Sequence, residues 1–583
     1  MEYITMLKQL MKYAKGERWK IAVYYVLHVI SIIGVLCQPY AFAMVINVLQ
    51  KNEGNVIRQV EFWLGIYILG FFIFNIFHRS ARFIERYVAF RTRKKFYIHI
   101  YGILESLPLS WHEKNHTGNV IDRVNKAADS IYYFGQSQAS IIEMIIKFLG
   151  STIILCVISP IIAIIALIAG AGIIFITKSL YKISVPVYRQ QNEGFHKVSA
   201  ALFDYIKNIT TIIVLKLGKY VQKDLNNKID DIFPHVVKEN KVTQLKCFLN
   251  ALLIVCLNVG LIFYYIYSRS VTGKVIMIGS ITAIFQYLGE LMSAVDFYST
   301  SYEDIIHWST SFKAVEPIVA TIPAKKNKNV YEITEWNTVN IGPINFSYGQ
   351  GKAKLTNVSV QLQRGKKIAF IGESGAGKST LLKIMCGLIQ INNDRIEIDG
   401  KVEKIDSLEG ITAFISQEPE IFENTISYNI TMGITASQVE IERCAKMACF
   451  HDVVSRLDQG YDSDIRENGV NLSGGEKQRL ALTRGLFAVK GSSIVLLDEP
   501  TGSLDPSTEM RVYNQIFQEM SNKCVVSVLH RLHLLHMFDY IYVFKEGSII
   551  QHGTFDKLQS VDGEFTRLWN EYQVEMNNDE SIK

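Results

Sequence analysis

Lys367–Thr380 reads KIAFIGESGAGKST. The apolar run that opens it has the length and composition of a buried strand. It passes directly into Gly372, Glu373, Ser374, Gly375, Ala376, Gly377, Lys378, Ser379 and Thr380, and then into an apolar helical stretch, Leu381–Ile389. Strand, glycine-rich loop and helix, in that order, are the setting in which G-x-x-x-x-G-K-[ST] cradles phosphate. Glycines let backbone N–H groups curl around phosphate oxygens, and the helix start adds positive potential. Lys378 is expected to reach the β- and γ-phosphates and Ser379 to ligate Mg²⁺. A plain glycine turn before a helix is a poor fit to the full motif in this context.

Downstream, Ser493–Leu497 (SIVLL) reads as a second buried strand, ending in Asp498, Glu499 and Pro500. Ligands of open α/β sheets sit at the carboxyl ends of strands. Asp498 is therefore placed to hold Mg²⁺ through water, and Glu499 to orient and deprotonate an attacking water. A third strand, Cys524–Leu529, ends in His530, whose position favours a γ-phosphate contact over a merely structural role. Asn471–Arg479 (NLSGGEKQR) has two compatible readings. Ser473 and Glu476 form a capping box. Ser473, Gly474 and Gly475 also make an anion site at a helix start.

The half of the chain before this region is of another character. The 583 residues are 49% hydrophobic and only 20% charged. That excludes disorder as the main state, and the length implies two to four domains. Eight scattered cysteines exclude a disulfide scaffold, and no Cys/His cluster suggests structural zinc. A net charge of +6 does not require a nucleic-acid partner, and none is expected. Six apolar stretches, Ile21–Val48, Phe62–Phe77, Ile141–Ile158, Ile161–Thr177, Cys247–Tyr267 and Ile276–Val295, have or approach the ~20 residues that cross a bilayer as a helix. Ile161–Thr177 has no charge on any face, which argues against a buried core helix. Lys and Arg concentrate before the first stretch, between the second and third, and between the fourth and fifth, while the alternate connections carry few. The positive-inside rule then places both ends and the two long connections in the cytoplasm. Those connections read as polar helices continuing beyond the bilayer. Residues 321–338 read as a linker, 339–574 as an α/β domain, and 575–583 as a polar tail without fixed structure.

With these motifs in hand, the chain resembles an ATP-binding-cassette (ABC) transporter of the exporter type, a half-transporter with one membrane domain (1–320) and one nucleotide-binding domain. The fold class is an α-helical six-span membrane domain plus an α/β P-loop domain. The family's motifs occur in order: Walker A at Gly372–Thr380, the Q-loop at Gln417, the signature at Leu472–Glu476, Walker B at Ile494–Glu499, the D-loop at Ser503–Asp505, and the switch histidine at His530. The resemblance implies ATP and Mg²⁺ as ligands, with Gln417 joining Ser379 and Asp498 around the metal and Tyr348 stacking on adenine. It implies a dimer in which Ser473, Gly474, Gly475 and Glu476 complete the partner's ATP site. Since Glu499, His530 and the Ser-Gly-Gly are all present, a homodimer is the simpler assembly, with a related half-transporter as the other. Leu109–Gly118, with Trp111, His112 and Glu113, and Ile206–Lys216, with Asn208 and Ile209, resemble the two coupling segments. Two departures stand out: Glu476 replaces the commoner Gln, and Ser463–Gly469 matches the cross-talk loop only loosely, with Arg466 in place of Gly.

The resemblance implies an ATPase that drives alternating access, exporting an amphipathic or hydrophobic cargo (lipid, drug or peptide) from a plasma or inner membrane. Import of a metal chelate on the same fold, or an ATP-gated channel, are the alternatives. The latter is disfavoured by an intact Glu499, and a soluble ABC ATPase by the six spans. No peptidase domain precedes the first span, which disfavours a leader-cleaving peptide exporter. In the sixth span Gln286, Glu290 and Ser293 share one helix face, with Asp296 about a third of a turn away. An ionised acid in hydrocarbon costs on the order of 3 kcal/mol, so Glu290 is expected either to line a cavity or to bond a polar residue such as Asn250 or Asn258.

Overall fold

The computed structural model describes residues 2–320, 335–348, 354–391, 395–465 and 472–580. Most of the linker, Arg466 and Gly469 of the loosely matched loop, and Asn471 lie outside these residues. The chain divides into two compact units, Met1–Leu107 with Trp111–Ala324, and Lys325–Lys583 with Pro108–Ser110.

In the first unit five of the apolar stretches fall within a helix long and apolar enough to span a membrane, and the sixth starts two residues before its helix. The six helices are Arg18–Lys51, Val56–Ser106, Gln138–Ile158, Pro160–Lys207, Phe233–Val271 and Ile278–Lys313. The second has 51 residues and the fourth 48. At about 1.5 Å per residue they are more than twice as long as the ~30 Å hydrocarbon layer. The cytoplasmic extensions expected from polar composition are therefore continuations of the spans. Large apolar side chains such as Ile168, 67% exposed, face outward along these helices, as a lipid-facing surface requires. The first two spans approach so closely that a Cβ on Gly34 would lie 2.8 Å from the Gly70 carbonyl, and one on Gly70 2.6 Å from that of Gly34. Small residues at such a crossing are what membrane helix packing uses.

The third span enters with a break. Helix Thr117–Gln136 ends, Ser137 intervenes, and Gln138–Ile158 begins. The second span supplies what the break leaves open. Arg82 donates to the Gln136 carbonyl (2.8 Å), and Glu85 accepts from the Ala139 N–H (2.6 Å) and from Arg82 (2.5 Å). Tyr3 of the entry helix Glu2–Tyr13 and Tyr25 of the first span both donate to Gln138 (3.0 Å each). Helix ends buried without water need such partners.

The second unit holds two sheets. Its strands are β1 (Thr338–Phe346), β2 (Leu355–Gln363), β3 (Lys367–Gly372), β4 (Arg395–Ile398), β5 (Lys401–Lys404), β6 (Thr412–Ile415), β7 (Ile494–Asp498), β8 (Cys524–Val528), β9 (Tyr540–Lys545) and β10 (Ser548–Gly553). A four-stranded antiparallel sheet has the order β2-β1-β4-β5. The six-stranded sheet, β10-β9-β3-β8-β7-β6, is parallel except at β10. β7 and β8 are buried at every residue, the mark of parallel strands covered on both faces. The three strands read from sequence are thus β3, β7 and β8, side by side. The last helix runs from Glu564 to Glu580, into the segment expected to lack fixed structure.

Candidate functional site

The strand order β3-β8-β7-β6 lines up four carboxyl-terminal connections along one sheet edge: the glycine loop, His530, Asp498–Glu499 and Gln417. The loop turns through left-handed backbone at Gly375 (φ 83°) and Gly377 (φ 102°). A Cβ on Gly377 would meet Leu355 Cδ2 at 2.6 Å and the Lys354 carbonyl at 2.9 Å. The helix that follows, Lys378–Met385, starts three residues earlier than its apolar pattern indicates, because Gly377 is its N-cap.

Lys378 is buried, and its ammonium donates back to the loop carbonyls of Gly372 (2.7 Å) and Glu373 (3.0 Å). Burial pulls its pKa below the ordinary lysine range, against the nearby carboxylates of Glu499 and Asp498. Ser379 Oγ donates to Asp498 Oδ1 at 2.8 Å. Asp498 is itself buried, and burial holds its pKa above the usual carboxylate range despite that bond. A hydroxyl and a desolvated carboxylate in contact, both hard oxygen donors, fit a small divalent cation. Gln417 is turned elsewhere in this structure: its Nε2 donates to Glu499 Oε2 at 2.9 Å. His530 Nε2 lies 2.5 Å from the other oxygen, Glu499 Oε1. Glu499 adopts left-handed backbone (φ 48°), uncommon for a side chain of its size, and so turns out of β7 toward both partners.

Two contacts around the loop have no sequence signal. Lys354 donates to the Gly375 carbonyl (2.6 Å), and Arg567 of the last helix pairs with Glu373 (2.7 Å). Tyr348 stands exposed at the end of β1, edge-on to Phe346 at 4.9 Å.

Ser473 caps helix Gly474–Ala488 in a complete capping box. Glu476 accepts from the Ser473 N–H (2.8 Å) and hydroxyl (2.9 Å), and the N–H bond chiefly holds its pKa below the usual carboxylate range. Gly474 and Gly475 form the first turn; a Cβ on Gly475 would press on the Ser503 carbonyl at 3.4 Å. Asp505 caps the helix Pro506–Glu519, accepting from the Thr508 N–H at 2.9 Å. Among the described residues, no hydrogen bond or ion pair joins Leu472–Glu476 to Gly372–Thr380.

The two segments matched to coupling elements are short helices, Leu109–Lys114 and Ile209–Val214. Trp111 is half-buried, and His112 and Glu113 are exposed. His112 bonds the Leu104 carbonyl at 3.0 Å. Asn208 precedes the second helix, where Ile209, Ile213, Val214 and Leu215 leave an exposed apolar tip. Glu290 bonds neither Asn250 nor Asn258. It pairs with Lys147 of the third span at 3.0 Å, and Lys147 also pairs with Glu143 at 2.9 Å. Asn250 instead donates to Asp296 (3.4 Å). Ser293 donates to the Glu290 carbonyl (2.9 Å), and the amide oxygen of Gln286 is buried without a partner among the described residues. Glu239, Glu303 and His307 bring ligand atoms within 4.8 Å of one another, but the Lys246 ammonium sits 2.6 Å from Glu303 and supplies a positive charge there already.

Comparison with known proteins agrees with both units. The profile of the ABC transporter transmembrane region matches residues 21–295, and that of the ABC transporter family matches 355–502. An "ATM1-type heavy metal exporter" from Novosphingobium aromaticivorans is 26% identical over 92% of this chain and 89% of its own length. "Heavy metal tolerance factor 1" of Caenorhabditis elegans is 28% identical over 82% of this chain and 60% of its own, so the chain spans under two thirds of that relative's length. A solved structure of a bacterial Atm1-family ABC exporter with ATP bound superposes with a TM-score of 0.84 at 23% identity, covering 95% of this chain and 99% of that one.

Proposed function

Because this chain belongs to the ABC transporters, as an exporter-type half-transporter, we propose that it hydrolyses ATP as a dimer and uses that reaction to export cargo across a membrane. One observation carries the reading: a phosphate-binding loop, a Ser379–Asp498 pair and a Gln417–Glu499–His530 cluster lie along one sheet edge of a chain with six membrane-crossing helices.

The chain's own residues divide the chemistry. The glycine loop holds the triphosphate with backbone N–H groups. Lys378 exchanges the Gly372 and Glu373 carbonyls for phosphate oxygens. Ser379 and Asp498 would hold Mg²⁺, which would spread the charge of the leaving phosphates. Glu499 orients and deprotonates the attacking water, released from His530 and Gln417 as these turn to the phosphate. Ser473, Gly474, Gly475 and Glu476, already set as a capped helix start, offer their anion site to the partner's ATP, and Asp505 lies at the same junction. Tyr348 provides a face for adenine. The partner is a second copy or a related half-transporter.

The exposed tip at Ile209–Leu215 and the helix Leu109–Lys114 suit segments that transmit cassette closure to the spans. The distribution of Lys and Arg supports cytoplasmic cassettes and termini in a plasma or inner membrane. Export is the direction in the name of the Novosphingobium relative and in that of the superposed structure, and the two relatives' names make heavy metals or their complexes the first cargo to test, ahead of amphipathic organic compounds and peptides. The decisive assay is ATP-dependent accumulation of these classes in inside-out vesicles holding the purified protein. Accumulation that needs ATP and is lost in Glu499→Gln supports an exporter. Flux that ATP triggers, that only equilibrates the cargo and that persists in Glu499→Gln supports an ATP-gated channel instead.

A further inference from the structure

The segment Thr501–Leu504 has no regular secondary structure, yet each of its residues is held from a neighbouring element. On one side stands Gln478, one turn into the helix that Ser473 caps. It is only 7% exposed, and its Oε1 accepts from the Ser503 N–H at 2.7 Å. On the other side stands Arg531, immediately after His530. Its guanidinium donates to the Leu504 carbonyl and, at 3.3 Å, to the Gly502 carbonyl. Arg531 also lies 3.5 Å from Glu509, which is 4% exposed and accepts from Thr501 Oγ1 at 2.6 Å.

We propose that Gln478 and Arg531 are positioning residues that clamp Thr501–Leu504 between the switch histidine and the signature helix, so that the state of His530 is passed to Ser473. The inference rests on the composite-site reading, in which His530 serves this chain's ATP and Ser473 serves the partner's. The physical basis is the stiffness of the connection. His530 and Arg531 share a peptide bond, so a backbone shift that carries His530 toward phosphate also displaces Arg531 and its guanidinium. Arg531 bonds two backbone carbonyls of a four-residue segment whose Ser503 N–H has its partner in Gln478. The acceptor, Gln478, is itself buried and has no water to turn to, so breaking the Ser503 bond would leave it unmatched at a cost, and the segment and the start of the signature helix move together. The two ATP sites of the dimer are thereby linked through the interior of each cassette. Neither residue carries a motif signal beyond a polar position on a helix or after a histidine, and neither touches nucleotide.

The test uses the full-length protein in lipid. Gln478→Leu keeps the volume and removes the acceptor, whereas Gln478→Glu keeps an acceptor. The expected result for Gln478→Leu is a fall in kcat of about tenfold or more, with ATP affinity at the loop within about twofold of the parent, and recovery of most of the rate in Gln478→Glu. Arg531→Met is expected to behave like Gln478→Leu, and it keeps the proposal testable if Gln478→Leu does not fold. The double variant is expected to lose no more than the worse single variant, because both act on one segment. Unchanged kcat in both single variants, or losses that multiply in the double variant, would overturn the clamp. Heterodimers separate its failure from that of the composite site. With Lys378→Ala silencing one loop, Gln478→Leu on that same subunit is expected to slow the live site more than Gln478→Leu on the other. The opposite order would refute the composite site and leave the clamp within one cassette.

Discussion

The nucleotide-binding unit and the membrane unit solve the problem of buried polar groups in opposite ways. At the phosphate edge, charged groups find partners on loops that the parallel sheet sets next to one another: Ser379 with Asp498, Glu499 with His530 and Gln417, Lys378 with its own loop. In the spans, Lys147 reaches the sixth span to pair with Glu290, and among the described residues buried atoms of Gln286, Asn258 and His28 have no partner. An unmatched polar atom in hydrocarbon costs several kcal/mol, so the phosphate edge is close to a closed set of polar partners in this chain and the spans are not.

The contrast can be broken at its strongest point first. Glu499→Gln removes the base and keeps the cradle, so the ATPase rate should fall about 10²–10⁴-fold while ATP binding, read by a fluorescent analogue, persists. Near-normal turnover would reassign the base. Next comes the membrane charge cluster. Lys147→Ala leaves Glu143 and Glu290 facing each other without their cation, and should lower stability by roughly 1–3 kcal/mol, less than for a fully buried pair because both partners retain some exposure. Glu290→Gln should cost less. If Glu290 lines the cargo path, that variant weakens cargo-stimulated ATPase and spares the basal rate; if it only lowers yield, the acid is structural.

A smaller effect carries a pH signature. Asp498 has a raised pKa from burial, so in the nucleotide-free protein the folded state holds its proton longer than the unfolded chain does. Its contribution to stability is therefore most favourable in acid and declines as pH rises through the folded value. Asp498→Asn should remove that decline and raise the melting temperature of the nucleotide-free cassette near neutral pH by about 1–3 °C while abolishing hydrolysis, a gain in stability at the expense of function. The smallest effect belongs to the signature helix. Glu476→Ala opens the capping box and should cost on the order of 0.5–1 kcal/mol, whereas Glu476→Gln should be close to neutral, since Gln can serve the same bond.

How far each region could be read from sequence follows the same division. The phosphate loop, the Asp498–Glu499 strand end and the capping box are contiguous runs whose backbone geometry follows from residue types a few positions apart, and they were legible down to the side chain. The spans were legible as spans, because length and apolarity suffice. Their internal contacts were not. Glu290 was expected either to line a cavity or to bond a polar residue such as Asn250 or Asn258; it bonds neither asparagine and pairs with Lys147, while Asn250 reaches Asp296. The third-span break, satisfied by Arg82 and Glu85, is announced in sequence only by Gly135 and Ser137, which a continuous helix would also tolerate. Gln417 was expected at the metal and rests on Glu499, a difference that depends on rotamers near an exposed loop rather than on spacing. Pairings across helices depend on register and rotation, which helical periodicity leaves open.

The most direct test of the composite ATP site is subunit mixing. Lys378→Ala removes the loop lysine and Ser473→Arg blocks the signature, so neither homodimer has a complete site. A heterodimer of the two, isolated by one affinity tag on each subunit, has one complete site if loop and signature come from different chains, and none if they come from the same chain. ATPase activity in the heterodimer well above either homodimer is the predicted result. A heterodimer no more active than the homodimers would contradict the composite site.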